Sequence, residues 1–182
     1  IKNSIEDDLK NTYDPKTGLV KGESSFLDWR EQEYPKWMQP ADIYESECLG
    51  TSAVHFQANK VLAAMAGILG ENTVAAEHTK IAETIKSGIN NYLWVADKGF
   101  YGQYLYGRTY KTLSPRSEAL GVALTVLFGI ADEGRSETII RNTPINDFGV
   151  PCFYPQIPNT PPYHNNAVWP FVQSYWALAA AK

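Results

Sequence analysis

Two pairs of amphipathic segments, each joined by a very short turn, constrain this chain more than any other feature. From Thr51 to Leu69 the residues Val54, Ala58, Val61, Leu62, Met65, Ile68 and Leu69 recur at i, i+3, i+4, i+7 and stop at Gly70. That is the spacing of one helical face and its terminator. A second helix is predicted over 73–93, where Ile81, Ile85, Ile89 and Leu93 stand four apart. A third, over 116–129, is apolar nearly all round (Ala119, Leu120, Val122, Ala123, Leu124, Val126, Leu127), as a helix buried on most sides must be. A shorter, more polar helix spans 133–142 before Pro144, and a fifth runs from about Asn166 through Phe171, Tyr175 and Leu178 to the end. Residues 1–12 have the pattern of the tail of another.

The turns after Leu69 and Gly129 are so short that each flanking pair is expected to fold as an antiparallel helical hairpin. The other connections, roughly 13–50, 95–115 and 144–165, are long, and loops above about 12–15 residues usually carry function. Short and long turns alternate, which sends all three long loops to one end. Within the second, GFYGQYLYGRTY (99–110) has turn glycines and dense tyrosines, the signature of a small β-hairpin. The fold class expected is all-α: antiparallel helical hairpins forming part of an α/α barrel, as a single partial domain over residues 1–182. A helical solenoid is the alternative, but solenoid repeats keep a near-constant length and modest loops.

Composition narrows the function. A formal net charge of −4 over 182 residues argues against a nucleic-acid or anionic-membrane partner, since both require a basic face. No run approaches the roughly 20 apolar residues of a membrane helix. The chain opens IKNSIEDD, with neither an initiator Met nor a leader-like segment, so it is expected to be a processed or excised piece. Cys48 and Cys152 could form one bridge or none, and the compartment stays open; a glycan-degrading role would favour a periplasmic or extracellular one. His55, His78 and His164 sit in unrelated segments without metal-ligand spacing. His55 and His78 are expected to be surface or satisfied core residues, and Trp94 a core one. No Gly-rich phosphate loop or nucleophile elbow is present; no metal or cofactor is expected.

What the long loops do carry is aromatic and hydrogen-bonding side chains. Aromatic residues make up 13% of the chain. Sugars offer C–H faces that stack on rings and hydroxyls that require fixed donors and acceptors, so a sugar site combines both kinds of side chain in a concave pocket. ESSFLDWREQEYPKW (23–37) supplies Trp29, Arg30 and Trp37, with Gln39 just beyond; PYHNNAVWP (162–170) supplies Tyr163, His164, Asn165, Asn166 and Trp169; the middle loop adds Tyr104, Tyr106, Arg108 and Tyr110. Each has a plainer reading. Trp29 and Trp37 could staple their loop to the core, and Asn165 or Asn166 could cap the last helix. Glycosidic cleavage normally needs two carboxyl groups, and the first loop offers Glu23, Asp28, Glu31, Glu33, Glu45 and Glu47. Spacing does not choose among them.

The layout resembles the six-hairpin (α/α)6 glycosidases, closest to the branch holding trehalases and processing α-glucosidases. Those enzymes carry an E-S-G-W-D-type segment whose Asp is the general acid; Glu23-Ser24-Ser25-Phe26-Leu27-Asp28, followed by Trp29 and Trp37, is similar, one residue longer and without the Gly. NNYLWVADKGFY (90–101) is similar to the family's YLW-D-x-G-Y turn, SPRSEALGVALTVLFGIAD (114–132) to its inner helix, and PYHNNAVWP to its P-N-G-x-W-x-P stretch along the sugar pocket. The resemblance covers nearly the whole chain. It implies an inverting glycoside hydrolase acting on α-linked oligosaccharides or glycans, with Asp28 as general acid and Trp29, Arg30, Trp37, Tyr163, Asn165, Asn166 and Trp169 as substrate-binding residues. The family's general base follows the tryptophan-proline helix and is expected beyond Lys182. The remainder of the parent chain would then be needed to complete the barrel, and this piece alone would be inactive. Sugar epimerases share the barrel but use paired histidines, and only His164 lies in a site-like loop. A non-catalytic helical-repeat module that binds glycans is the third reading.

Overall fold

The apolar stripes fold as helices in the order the sequence sets. A computed structural model describes residues 1–23 and 34–182. Helix α1 (Lys2–Thr12) is followed by a short α2 (Pro40–Tyr44), and the first hairpin is α3 (Leu49–Ile68) with α4 (Asn72–Gly88). The second expected hairpin does not form as a packed pair: α6 (Glu133–Asn142) follows α5 (Ala119–Leu127) by a short turn but packs on the strand Phe100–Tyr101 rather than back along α5. α7 (Pro162–Asn165) and α8 (Pro170–Ala181) close the chain. Buried hydrophobic side chains form one main cluster, with Phe56, Ile85, Leu93, Tyr101 and Phe153 at its centre. α5 has every residue from Ala119 to Val126 buried, because it lies between α3 on one side and α8 on the other.

The two short inter-helix turns are built alike. Gly70 (φ 78°) and Gly129 (φ 73°) take the left-handed conformation, which glycine adopts without a Cβ penalty. In the first, Glu71 N donates to Ala66 O (2.9 Å) and Gly70 N to Gly67 O (3.2 Å); in the second, Ile130 N donates to Thr125 O (2.9 Å) and Gly129 N to Val126 O (3.2 Å). Each is a Schellman motif that satisfies the last carbonyls of its helix. The Asp132 side chain then accepts from Arg135 N at 2.8 Å and starts α6.

Several expected boundaries move, each for a local reason. The second predicted helix ends as a π turn over Ile89–Leu93. The third begins at Ala119 because Ser117–Glu118 is extended and pairs with Phe153–Tyr154. The last starts at Pro170, a proline at the first helical position, so neither Asn165 nor Asn166 caps it. The hairpin expected over 99–110 is displaced: Phe100–Tyr101 folds back onto Trp94–Val95, while Tyr104–Tyr106 pairs with Thr112–Ser114. Of the residues assigned to plain structural roles, His78 is fully buried and its Nδ1 lies 2.7 Å from Asn59 Oδ1, whereas His55 is half-buried. Trp94 packs against the core, edge-on to Tyr101.

The long connections precede α3, α5 and α8, and short strands stitch them to one another. Glu47–Cys48, from the first connection, pairs with Tyr104–Leu105 of the second, whose own hairpin completes a three-stranded sheet. Ser117–Glu118 ties the end of the second connection to the third. Cys152 adds two bonds, accepting from Ala119 N and donating to Ala167 O, both at 3.0 Å. The starts of α3 and α5 touch: a Cβ on Gly121 would stand 2.9 Å from Gly50 N.

Candidate functional site

All three connections contribute to one cleft of about 510 Å³. The first supplies Pro35, Lys36 and Trp37; the second Tyr104, Tyr106, Ser114, Pro115 and Arg116; the third Pro158 and Asn159. The sheet that joins the connections explains the geometry. Tyr104 and Tyr106 share one face of their strand: Tyr104 is 2% exposed, and Tyr106 stands edge-on to it with ring centroids 6.0 Å apart. Tyr34 tilts against Tyr104 at 5.7 Å, and Trp37 against Tyr106 at 5.6 Å. Trp37 nonetheless keeps 58% of its surface exposed, so it is both fixed and open. Burial pushes the Tyr104 phenol well above the usual tyrosine range; it is a neutral donor, and its hydroxyl lies 3.5 Å from Met38 Sδ.

The cleft is cationic among its described lining residues. Lys36 and Arg116 line it and no carboxylate does. Arg116 is held by its Nε, which donates to Pro155 O at 3.1 Å. Arg108 is directed elsewhere, onto Asp42 at 3.0 Å. The Asp42 carboxyl is held below its ordinary value, first by the Gln39 backbone N–H and then by this guanidinium.

Among the described candidate acids of the first connection, Glu45 and Glu47 have lysine partners. Glu47 is fully buried, with Lys111 Nζ at 2.7 Å and the Thr17 hydroxyl donating at 2.7 Å. Glu45 pairs with Lys21 at 2.8 Å. Asp28, Glu31 and Glu33 lie outside the described residues, as do Trp29 and Arg30.

PYHNNAVWP folds around its own aromatics. Trp169 Nε1 donates to Tyr163 O at 2.9 Å, and the rings of Tyr163, His164 and Trp169 pack with centroids 4.5–4.9 Å apart. Tyr163 remains exposed whereas His164 is buried. Asn165 is also buried: its Oδ1 accepts from Ile157 N (2.8 Å), and its Nδ2 donates to Ile157 O (2.9 Å) and Thr160 O (3.2 Å). It therefore fixes the loop that carries Pro158 and Asn159 into the cleft. Asn166 lines a separate groove beside Phe148. Among the sequence-assigned residues that are described, Trp37 is in the main cleft, while Tyr163, Asn165, Asn166 and Trp169 are not among its described lining residues.

Sequence reasoning passed over Lys36, Arg116 and Asn159. A signal existed for Arg116, which stands just ahead of the most apolar helix. It also passed over Glu118, 1% exposed at the start of α5. The Glu118 carboxylate accepts from Leu120 N (3.1 Å) and Gly121 N (2.9 Å). Burial raises its pKa to about 8 against the pull of those two N–H groups. It is a helix cap at the end of the strand Ser117–Glu118, two residues after Arg116. Among the described residues no three His, Cys, Asp or Glu side chains gather as metal ligands.

Comparison with known proteins gives this geometry a context. In solved structures the chain superposes on a protein titled sialidase with a TM-score of 0.77 at 16% identity, over 99% of this chain and 17% of that one. It superposes on the GH78 family rhamnosidase of Bacillus sp. GL1 with a TM-score of 0.65 at 18% identity, over 98% of this chain and 16% of that one. At such identities the likeness is one of fold, and the chain spans only about a sixth of either relative. No curated protein matches. The family model described as the mannosylglycerate hydrolase MGH1-like glycoside hydrolase domain matches residues 10–181. With that match running through nearly the whole chain, including all three connections of the cleft, the chain belongs to the MGH1-like glycoside hydrolase domain family.

Proposed function

We propose that this domain forms part of an (α/α)6 barrel that hydrolyses α-linked oligosaccharides or glycans with inversion, by the scheme of the trehalase and processing α-glucosidase branch. The observation that carries the reading is the meeting of three long connections at one aromatic cleft in a chain of a glycoside hydrolase family. Trp37 and Tyr106 form the stacking wall for a sugar ring, and Lys36, Arg116 and Asn159 hydrogen-bond its hydroxyls. Trp29, Arg30, Tyr163, Asn166 and Trp169 complete the substrate-binding set, with Asn165 holding its loop in place. Asp28 is the general acid, protonating the leaving oxygen. The assignment rests on the likeness of residues 23–28 to the family's acid segment; of the other acids in the first connection, Glu45 and Glu47 are already paired with lysines. The general base comes from another part of the parent chain.

Barrel closure by that remaining chain has its own support. α3 and α8 flank α5, and each leaves an apolar stripe exposed: Val61, Met65 and Ile68 on α3, Phe171, Tyr175 and Leu178 on α8. Stripes at i, i+4, i+7 are the spacing of helices that pack against further helices.

The test is hydrolysis of α-glycosides by the full-length protein. Asp28→Asn is expected to lower turnover about 10²–10⁴-fold, the usual contribution of a general acid, and NMR of the first product is expected to show the inverted anomer. Near wild-type turnover in Asp28→Asn would remove the acid assignment. A product isomerised without cleavage would place the protein with the epimerases.

A further inference from the structure

The two rings of the stacking wall come from different connections, and one carboxylate ties their backbones together. Trp37 and Tyr106 tilt against each other at 54°, with ring centroids 5.6 Å apart. Two residues beyond Trp37, the Gln39 backbone N–H donates to Asp42 Oδ2 at 3.0 Å. Two residues beyond Tyr106, Arg108 takes the other oxygen: its Nε and Nη2 donate to Asp42 Oδ1 at 3.2 and 3.0 Å. The two connections are thus joined by ring contact within the cleft and again by this carboxylate, a short step further along each.

Global stability does not account for the second join. The Arg108 side chain is 60% exposed, and an ion pair so open to water adds little to the folded state. α2 also has a separate tether, since Lys111 Nζ donates to Glu45 O just past its last residue, at 2.8 Å. Ile43, within α2, is buried. What the Arg108–Asp42 pair adds is control over the other end of α2, where the chain arrives from Trp37. With more than half its surface in water, the Trp37 ring gets modest restraint from packing, so its angle depends on how its backbone is held.

We propose that Arg108 and Asp42 are positioning residues for glycan binding, holding Trp37 and Tyr106 at a fixed spacing and tilt without touching the sugar. Neither is among the described lining residues of the cleft. A stacking surface ordered in advance spares the ligand the entropy of immobilising it, a saving of about 2–10-fold in affinity per side chain. A neutral glycan carries no net charge, so screening by salt acts here on the pair rather than on the ligand. The inference rests on the reading of the main cleft as a sugar site and adds to it a platform whose order is set by an exposed ion pair.

Calorimetry on the full-length protein tests this with maltotetraose and an α-linked mannotetraose as neutral probes. Arg108→Gln is expected to raise the dissociation constant about 2–10-fold and to leave the melting temperature almost unchanged. Arg108→Lys, which keeps the charge but loses the planar fork, should recover part of the loss. In a Trp37→Ala background the same Arg108→Gln change should cost nothing further, because the ring it positions is gone. Raising salt to about 1 M, where screening acts within about 3 Å, should bring wild type towards Arg108→Gln and leave the variant unmoved. An unchanged dissociation constant in Arg108→Gln, with wild-type binding intact, overturns the positioning role and leaves the main cleft standing. An equal loss with and without Trp37 overturns it in favour of a direct contact between Arg108 and the sugar. A loss of binding that follows a fall in melting temperature overturns it in favour of a general structural role. A wild-type protein that binds neither probe overturns the sugar reading of the cleft, and the positioning role with it.

Discussion

Lys111 Nζ lies 2.7 Å from Glu47 Oε1, and the carboxylate it meets is fully buried. The same lysine donates to Glu45 O at 2.8 Å. One side chain from the second connection therefore neutralises an acid of the first and pins its backbone. Losing one member of a buried pair leaves the other charge without compensation, at about 3–5 kcal/mol. Lys111→Met is expected to destabilise the protein by roughly that amount in urea titration. The double variant Lys111→Met/Glu47→Gln should recover much of the loss, because it removes both charges.

Glu118 predicts a pH dependence with a definite sign. Its folded pKa, about 8, lies above the ordinary value of 4.5. Between those two values the folded protein holds a proton that the unfolded chain has released, so stability from this group declines as pH rises through that window and levels off above it. Glu118→Gln keeps an acceptor for Leu120 N and Gly121 N but cannot ionise. Melting temperatures from pH 5 to pH 9 should converge for the two proteins at the acid end, with the variant gaining on wild type towards pH 8.

Gly121 faces the Glu118 carboxylate, Gly50 N and the Leu49 side chain, and an added Cβ would meet all three. Overpacking of this kind typically costs about 1–3 kcal/mol. Gly121→Ala is expected to fall in that range by thermal or chemical unfolding, although alanine raises helix propensity by about 1 kcal/mol. A stabilised variant would mean that α3 and α5 can separate at this point.

Asn165→Ala removes three hydrogen bonds to Ile157 and Thr160. We expect a loss of about 2–3 kcal/mol, with faster amide exchange over 157–160 than elsewhere in the domain. Weaker glycan binding should accompany it, through displacement of Asn159 from the cleft.

Trp37→Ala separates a sugar platform from a structural staple. With more than half its surface exposed, Trp37 should contribute under about 1 kcal/mol to global stability. Its removal should weaken oligosaccharide binding about tenfold. A large drop in stability with unchanged binding would identify it as a staple.

The helices were legible because their signals are local. Stripes at 3.6-residue period and a glycine after each buried helix placed the helices and the first hairpin, whereas the packing of α6 on Phe100–Tyr101 instead of α5 leaves no mark in its own stripe. What escaped depended on partners distant in sequence. The pairing of Glu47–Cys48 with Tyr104–Leu105 shows no trace in either segment alone, and neither does the choice of Lys111 as partner for Glu47 among six acids of similar surroundings. Asn165 was grouped with sugar ligands because an amide in a loop has the same signature whether it faces a ligand or its own backbone. Arg116 was overlooked because its place in the cleft comes from the strand pairing of Ser117–Glu118, which sequence periodicity had assigned to a helix.

The paired Schellman turns at Gly70 and Gly129 have a consequence for how such a domain can change. At that end each helix hands over to the next within a few residues, and the carbonyls of Ala66, Gly67, Thr125 and Val126 are taken up by the turns, so an inserted residue would break those bonds. At the other end the exposed stretches of the long connections can exchange side chains while the strand pairs that stitch them together are kept. Variation in the cleft is thereby channelled to one pole of the molecule, and a library confined to its open positions, such as Lys36, Trp37, Pro158 and Asn159, would reshape the cleft while sparing the buried residues of the same connections.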